Sequence, residues 1–283
     1  MTLRLVNWGH RAAIVAEDGT LIDLERVSGG RFSSDPMSAI NRWSELAELA
    51  PEWIAAGGGS MVDPVELGPC VPRPSKVFGI GLNYRAHAAE TGREPPTEPL
   101  VFTKFPSCLT GPAATVELRG DTVDWEVELV VVIGPGGRDI AAEDAHRHII
   151  GYCVGQDLSD RTSQRAGAQP QFSMAKSYDG YGPIGPALVS ADAVTDPEDL
   201  AIHCELNGDR VQDARTSDLI FGVAELVERL SAVCTLVPGD LIFTGTPAGV
   251  GIGRTPPMYL SPGDVLVSTI DGIGQITTRF TNG

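Results

Sequence analysis

The acidic residues of Asp124-Trp-Glu-Val-Glu-Leu-Val-Val-Val-Ile133 are those in this sequence whose spacing most directly suggests chemistry. Strand alternation puts Asp124, Glu126, Glu128, Val130 and Val132 on one face. Carboxylates crowded in a low-dielectric setting repel one another and lose hydration, so they stay ionised only beside a compensating cation. A divalent metal ion would supply that charge. An edge strand with a solvated acidic face is the alternative. The apolar run after the acids implies burial on both faces and weakens it, but the segment alone leaves both readings open. A second strand expected over 149–156 ends at Asp157, a third carboxylate at a strand end.

His87 and Glu90 stand one helical turn apart in Asn83-Tyr-Arg-Ala-His-Ala-Ala-Glu90. Glu90 can orient His87 and raise its basicity toward the range of a general base; an exposed i,i+3 pair is the simpler account. Gly92 ends that turn. Arg161 and Gln164 share a face of a short helix that Ser159 is expected to cap, offering a cation and an amide to an anionic or carbonyl substrate. Lys176 is either a snorkelling surface lysine or a substrate clamp. Gly249 to Gly253 follows a strand, but Arg254-Thr-Pro-Pro cannot open the helix that a dinucleotide pyrophosphate needs. Thr244-Gly-Thr-Pro-Ala-Gly reads instead as a backbone loop with a free hydroxyl at Thr246. Walker, G-x-S-x-G and H-E-x-x-H motifs do not occur.

The elements that must position these groups are mostly short strands. Strand signals cover 125–133, 149–156, 201–206, 241–244 and 265–270, with Asn207-Gly208 marking a hairpin and Pro-Gly-Asp at 238–240 and 262–264 turning into strands. Asp18-Gly19 reads as a two-residue hairpin turn inside 11–24. Apolar spacing over 40–54 is helical, although Pro51 is expected to divide it into two short helices. In the second part of the chain helical periodicity is clear only over 223–233. Breakers between residues 55 and 74 place a domain boundary near 71, giving a small N-terminal α/β domain (1–70) and a β-rich domain (71–283), α+β overall. The 283 residues suit two domains. A formal charge of −16 disfavours nucleic acid and anionic membranes as partners. Five cysteines without C-x-x-C spacing suggest neither a zinc site nor a disulfide framework, which fits a cytoplasmic protein.

Taken together, GLNYRAHAAETG, DWEVELVVVIG, GYCVGQDLSDRTSQ, AKSYDGYGPIGP and TGTPAGVGIG resemble the fumarylacetoacetate hydrolase superfamily over about residues 74–280. The resemblance implies a mixed β-roll or β-sandwich catalytic domain, a homodimer, and a magnesium or manganese ion (calcium in some crystals) on Glu126, Glu128 and Asp157. It implies His87 and Glu90 as a water-activating dyad on a lid segment, with Lys176, Arg161, Gln164 and Thr246 near a small anionic 2-oxo acid. The expected reaction is C–C hydrolysis of a 2,4-dioxo acid such as an acylpyruvate, fumarylacetoacetate or a diketo-deoxy sugar acid, through an enolate stabilised by the ion. The same site would serve a 2-hydroxyhepta-2,4-diene-1,7-dioate isomerase or an oxaloacetate-type decarboxylase. A catalytically silent metal-binding scaffold is the reading from another class.

Overall fold

The computed structural model describes residues 2–283. Its axis is the strand Val127–Ile133, every residue of which is buried. Val127, Leu129, Val131 and Ile133 face one apolar cluster, and Val130 and Val132 face another. The apolar run therefore does what burial on both faces requires. It is the sixth strand of a sheet whose spatial order is Leu21–Asp23, Arg11–Val15, Arg4–Trp8, Gly182–Ser190, Ile149–Gln156, Val127–Ile133, Leu241–Phe243, Val77–Gly81 and Leu100–Thr103, with Leu67–Gly68 and Leu109–Thr110 pairing off this path.

Across the first cluster lies a five-stranded sheet ordered Asp209–Arg215, Ala201–Leu206, Val265–Ile270, Gly274–Asn282 and Thr115–Leu118. Ile202, Leu266, Ile276 and Phe280 of that sheet, with Leu226, Val227 and Leu230 of the helix Val223–Val233, complete this core. Helices Pro36–Asn41 and Trp43–Ala56 close the second cluster. The large sheet continues through the expected boundary near residue 71: Leu5 pairs with Leu188, and Leu5, Ile14, Leu46 and Ile54 share a core with Val130 and Phe243.

Local signals translate into structure with three corrections. Asn207 and Gly208 both take positive φ (54° and 89°), as a two-residue hairpin turn demands. In both Pro-Gly-Asp turns the aspartate accepts a backbone N–H three residues back, Val237 for Asp240 and Ser261 for Asp264 (2.8 and 2.7 Å). The Asp18-Gly19 turn is longer than expected. Ala16 and Thr20 pair across Glu17-Asp18-Gly19, and only Gly19 takes positive φ, while Asp18 instead accepts from the Thr20 N–H and hydroxyl. Pro51 does not divide its helix. Trp43–Ala56 is continuous because Leu46, Ala50 and Ile54, four residues apart, all dock on the core, and packing outweighs one lost backbone bond. Strand Val127–Ile133 starts two residues later than its sequence suggests. The Glu126 and Val127 N–H groups are taken by side-chain amides of Gln156 (2.8 Å) and Gln212 (3.0 Å).

Candidate functional site

Antiparallel register assembles the acidic centre. Val127 pairs with Gln156, so Glu126 just before one strand and Glu128 within it meet Asp157 just past the end of the next. Oxygen atoms of the three lie within 4.8 Å of one another, and all three residues are buried. The cations around them are unequally shared. Lys176 Nζ donates to Glu126 Oε2 (2.7 Å), Asp157 Oδ2 (2.6 Å) and Ser159 Oγ (2.8 Å). Arg161 donates to Glu126 Oε1 (2.7 Å), Asp124 Oδ2 (2.9 Å) and Gln164 Oε1 (3.0 Å). Glu128 receives no cation: among the described residues its hydrogen-bond donor is the Gly245 N–H at 2.8 Å.

The protonation equilibria follow this division. Burial would raise Glu126, but Lys176, Arg161 and His87 outweigh it and bring it down to about 2. Burial, then the Asp157 and Glu126 charges, push Glu128 well above the usual carboxylate range. An all-oxygen cluster with one buried, cation-poor carboxylate fits a hard divalent ion, which would add the missing positive charge. At any pH where Glu128 is protonated, binding such an ion must displace that proton. Affinity for Mg²⁺ or Mn²⁺ is therefore expected to rise with pH above the ordinary carboxylate range, by up to about tenfold per pH unit, until Glu128 is ionised. Calorimetric titrations in buffers of different ionisation enthalpy will count the proton released; a pH-independent affinity with no proton release contradicts this.

The dyad sits on helix Arg85–Glu90, from which His87 reaches the pocket. His87 is buried, 6% exposed, so it is not the exposed pair of the simpler account. Its Nδ1 lies 2.7 Å from Glu90 Oε1, and Glu90 Oε2 accepts the Gly249 N–H at 2.9 Å. A carboxylate on Nδ1 favours the tautomer with the proton there, leaving the Nε2 lone pair as base. Asn83 anchors the helix start: Nδ2 donates to Phe221 O (3.0 Å) and Thr244 O (2.7 Å), and Oδ1 accepts from Phe221 N (2.8 Å). Gly245 must be glycine, with φ of 105° and a Cβ that would stand 2.7 Å from the Asn83 Cβ.

Two local expectations change. Asp160, not Ser159, caps the short helix Arg161–Gln164, because the Asp160 carboxylate accepts the Thr162 N–H (3.1 Å) while the Ser159 hydroxyl is held by the Asp157 carbonyl and Lys176. Nor is the Thr246 hydroxyl free. It donates to Val127 O (2.9 Å) and accepts from Gln212 Nε2 (2.8 Å), tying its loop to the acidic strand, though the residue still lines the pocket.

Lys104 escaped the sequence reading because no strand signal covers its segment. Leu100–Thr103 is in fact an edge strand, and Lys104, 1% exposed, donates to Asp157 Oδ1 at 2.7 Å. A lone lysine within Leu-Val-Phe-Thr-Lys-Phe-Pro was the available signal. Asp124 holds Arg161 and accepts the Gly251 and Ile252 N–H groups (2.7 and 3.0 Å), which fastens the glycine loop beside the pocket. His87, Glu126, Glu128, Arg161, Gln164, Lys176 and Thr246 thus converge on one pocket of about 140 Å³.

The sequence profile of the fumarylacetoacetate (FAA) hydrolase C-terminal family matches residues 76–281. The chain belongs to the fumarylacetoacetate hydrolase family. Members of this family are enzymes: hydrolases, isomerases and tautomerases. The chain is 42% identical over 211 residues to human oxaloacetate tautomerase FAHD2A, mitochondrial, covering 74% of this chain and 67% of that protein. It thus spans about two thirds of the length of such curated relatives. A Mycobacterium smegmatis crystal structure, provisionally called an HpcE protein, superposes with a TM-score of 0.93 at 47% identity, covering 99% of both chains. Maleylpyruvate hydrolase from Sphingobium sp. SYK-6, solved with manganese(II) and pyruvate, gives 0.83 at 30% identity over 99% of each chain. Within the family fold, no helix among the described residues is long and apolar enough to cross a membrane.

Proposed function

We propose that this protein hydrolyses the C–C bond of 2,4-dioxo acids of the acylpyruvate class, with Mg²⁺ or Mn²⁺ on Glu126, Glu128 and Asp157. The observation that carries this reading is the buried His87 base, oriented by Glu90 at 2.7 Å and lining the same pocket as Glu126 and Glu128. A bound divalent ion would act as a Lewis acid, holding the 2-oxo acid end and stabilising negative charge that develops there.

The chain's own groups supply the rest. Arg161 fixes the Gln164 amide through its Oε1, which leaves the Gln164 Nε2 hydrogens for a substrate oxygen. His87 Nε2 takes a proton from water, and the hydroxide adds to the distal carbonyl carbon. Collapse breaks the bond between that carbon and the neighbouring methylene. The acyl part leaves as a carboxylic acid and pyruvate leaves as its enolate, whose carbon regains a proton from the His87 imidazolium. Glu90 stabilises that imidazolium in the interval. Lys176 keeps the acidic cluster assembled and lends positive charge beside the forming oxyanion.

A second reading is tautomerisation, favoured by the 42% identity to human oxaloacetate tautomerase FAHD2A. There His87 would shuttle a proton between carbon and the enol oxygen without activating water. Acetylpyruvate and enol-oxaloacetate, each offered with Mg²⁺, separate the two. Stoichiometric pyruvate and acetate from the first support hydrolysis. Accelerated loss of the enol absorbance, with no cleavage of either acid, replaces it with tautomerisation. The exposed Leu100 and Val101 on the edge strand, flanked by exposed Phe105 and Met174, support the homodimer expected of the family.

A further inference from the structure

One end of the pocket is buried charge already committed to partners, whereas its remaining cations are uncommitted. Most arginines of this acidic chain are tied down, to carboxylates as at Arg11, Arg31, Arg73, Arg215 and Arg229, or to carbonyls as at Arg85. Arg93 and Arg165 are different: both line the pocket, both are exposed, and among the described residues neither guanidinium has a hydrogen-bond or ion-pair partner. With 37 acidic residues against 21 basic ones, a surface guanidinium ordinarily finds a carboxylate nearby. Glu94, next to Arg93 in sequence, makes no ion pair with it, and Glu90, three residues before it, is already engaged by His87 and Gly249.

The backbones of both arginines are fixed by helix-ending bonds, Arg93 N–H to Ala88 O (2.9 Å) and Arg165 N–H to Thr162 O (3.1 Å). Arg93 follows the helix that carries the dyad, and Arg165 directly follows Gln164. The same helix ends therefore set the reacting groups and the roots of two free forked donors. Such donors suit a planar carboxylate better than any neutral group. They also give the mouth of the pocket a local positive field in a negative molecule.

We propose that Arg93 and Arg165 bind a second carboxylate at the far end of the substrate, so that the enzyme prefers dicarboxylic 2-oxo acids over monocarboxylic ones. This rests on the 2-oxo acid reading of the same pocket. The test is calorimetric binding of 2-oxoglutarate and 2-oxopentanoate, equal in chain length and differing in the distal carboxylate, to the Mg²⁺-loaded protein. Wild type is expected to bind 2-oxoglutarate at least about tenfold more tightly, an advantage that shrinks at high salt. In the Arg93→Gln/Arg165→Gln protein the ratio is expected to fall to about twofold or less. Both positions are exposed, so these changes leave the core intact. Equal affinities in wild type, or a preference that survives the double substitution, overturn the distal-carboxylate assignment and leave the 2-oxo acid reading standing. If neither acid binds, both fall.

Discussion

Glu128→Gln is expected to weaken Mg²⁺ or Mn²⁺ binding by roughly a hundredfold or more while making the metal-free protein more stable. The loss follows from removing a carboxylate ligand, since even changes to groups that merely support a ligand cost about 10–100-fold. The gain follows from the same geometry. Glu128 is buried beside Asp157 and Glu126, and its carboxylate is held by a backbone N–H rather than a cation. Glutamine keeps that bond to Gly245 through its amide oxygen and removes the charge. In wild type the folded protein holds the Glu128 proton at pH values where the unfolded chain has released it. The metal-free protein therefore loses stability as pH rises from the ordinary carboxylate range toward the raised value. The advantage of glutamine should accordingly be small at acidic pH and grow with pH to about 1–3 kcal/mol. Denaturant unfolding in EDTA at pH 5.5 and 8.5, paired with metal titration, reads both effects. Metal affinity within threefold of wild type would remove Glu128 from the centre, and destabilisation at the higher pH would refute the electrostatic account.

His87→Gln is expected to lower kcat by about 10²–10⁴-fold, the range for loss of a positioned general base, with the metal dissociation constant nearly unchanged. The two effects separate because His87 is paired with Glu90, whereas Glu126 and Asp157 are held by Lys176, Arg161 and Lys104, and Glu128 by the Gly245 N–H. Glu90→Gln should cost less, because the imidazole remains, but it removes the negative charge that stabilises the imidazolium. Steady-state rates across pH, with metal affinity measured on the same samples, check both variants. Activity in His87→Gln above a third of wild type would rule out the base.

Much of this site was legible in the sequence. Period-two alternation assigned Glu126 and Glu128 to one side of their strand, and the turn signals and apolar runs bounded Ile149–Gln156, Ala201–Leu206, Val265–Ile270 and Val223–Val233. These features are local: which face a side chain takes depends on a few neighbouring dihedral angles. The pairing of charges is not local. Lys104 reaches Asp157 across 53 residues, and Arg161 reaches Asp124 and Glu126 across 37 and 35. That choice belongs to sheet register, which sets Val127 opposite Gln156 and so brings Glu126, Glu128 and Asp157 together.

Where expectation and structure part, a distant partner outbid a nearby one. Thr246 is claimed by Val127 and Gln212, Ser159 by Lys176, and Pro51 is overruled by core contacts on its helix. From its order of residues alone, then, the chain determines many of its strands and turns and the carboxylates and imidazole able to react. Only the folded arrangement decides which carboxylate goes without a cation and which arginines stay free, because both depend on distances between segments that local periodicity does not constrain.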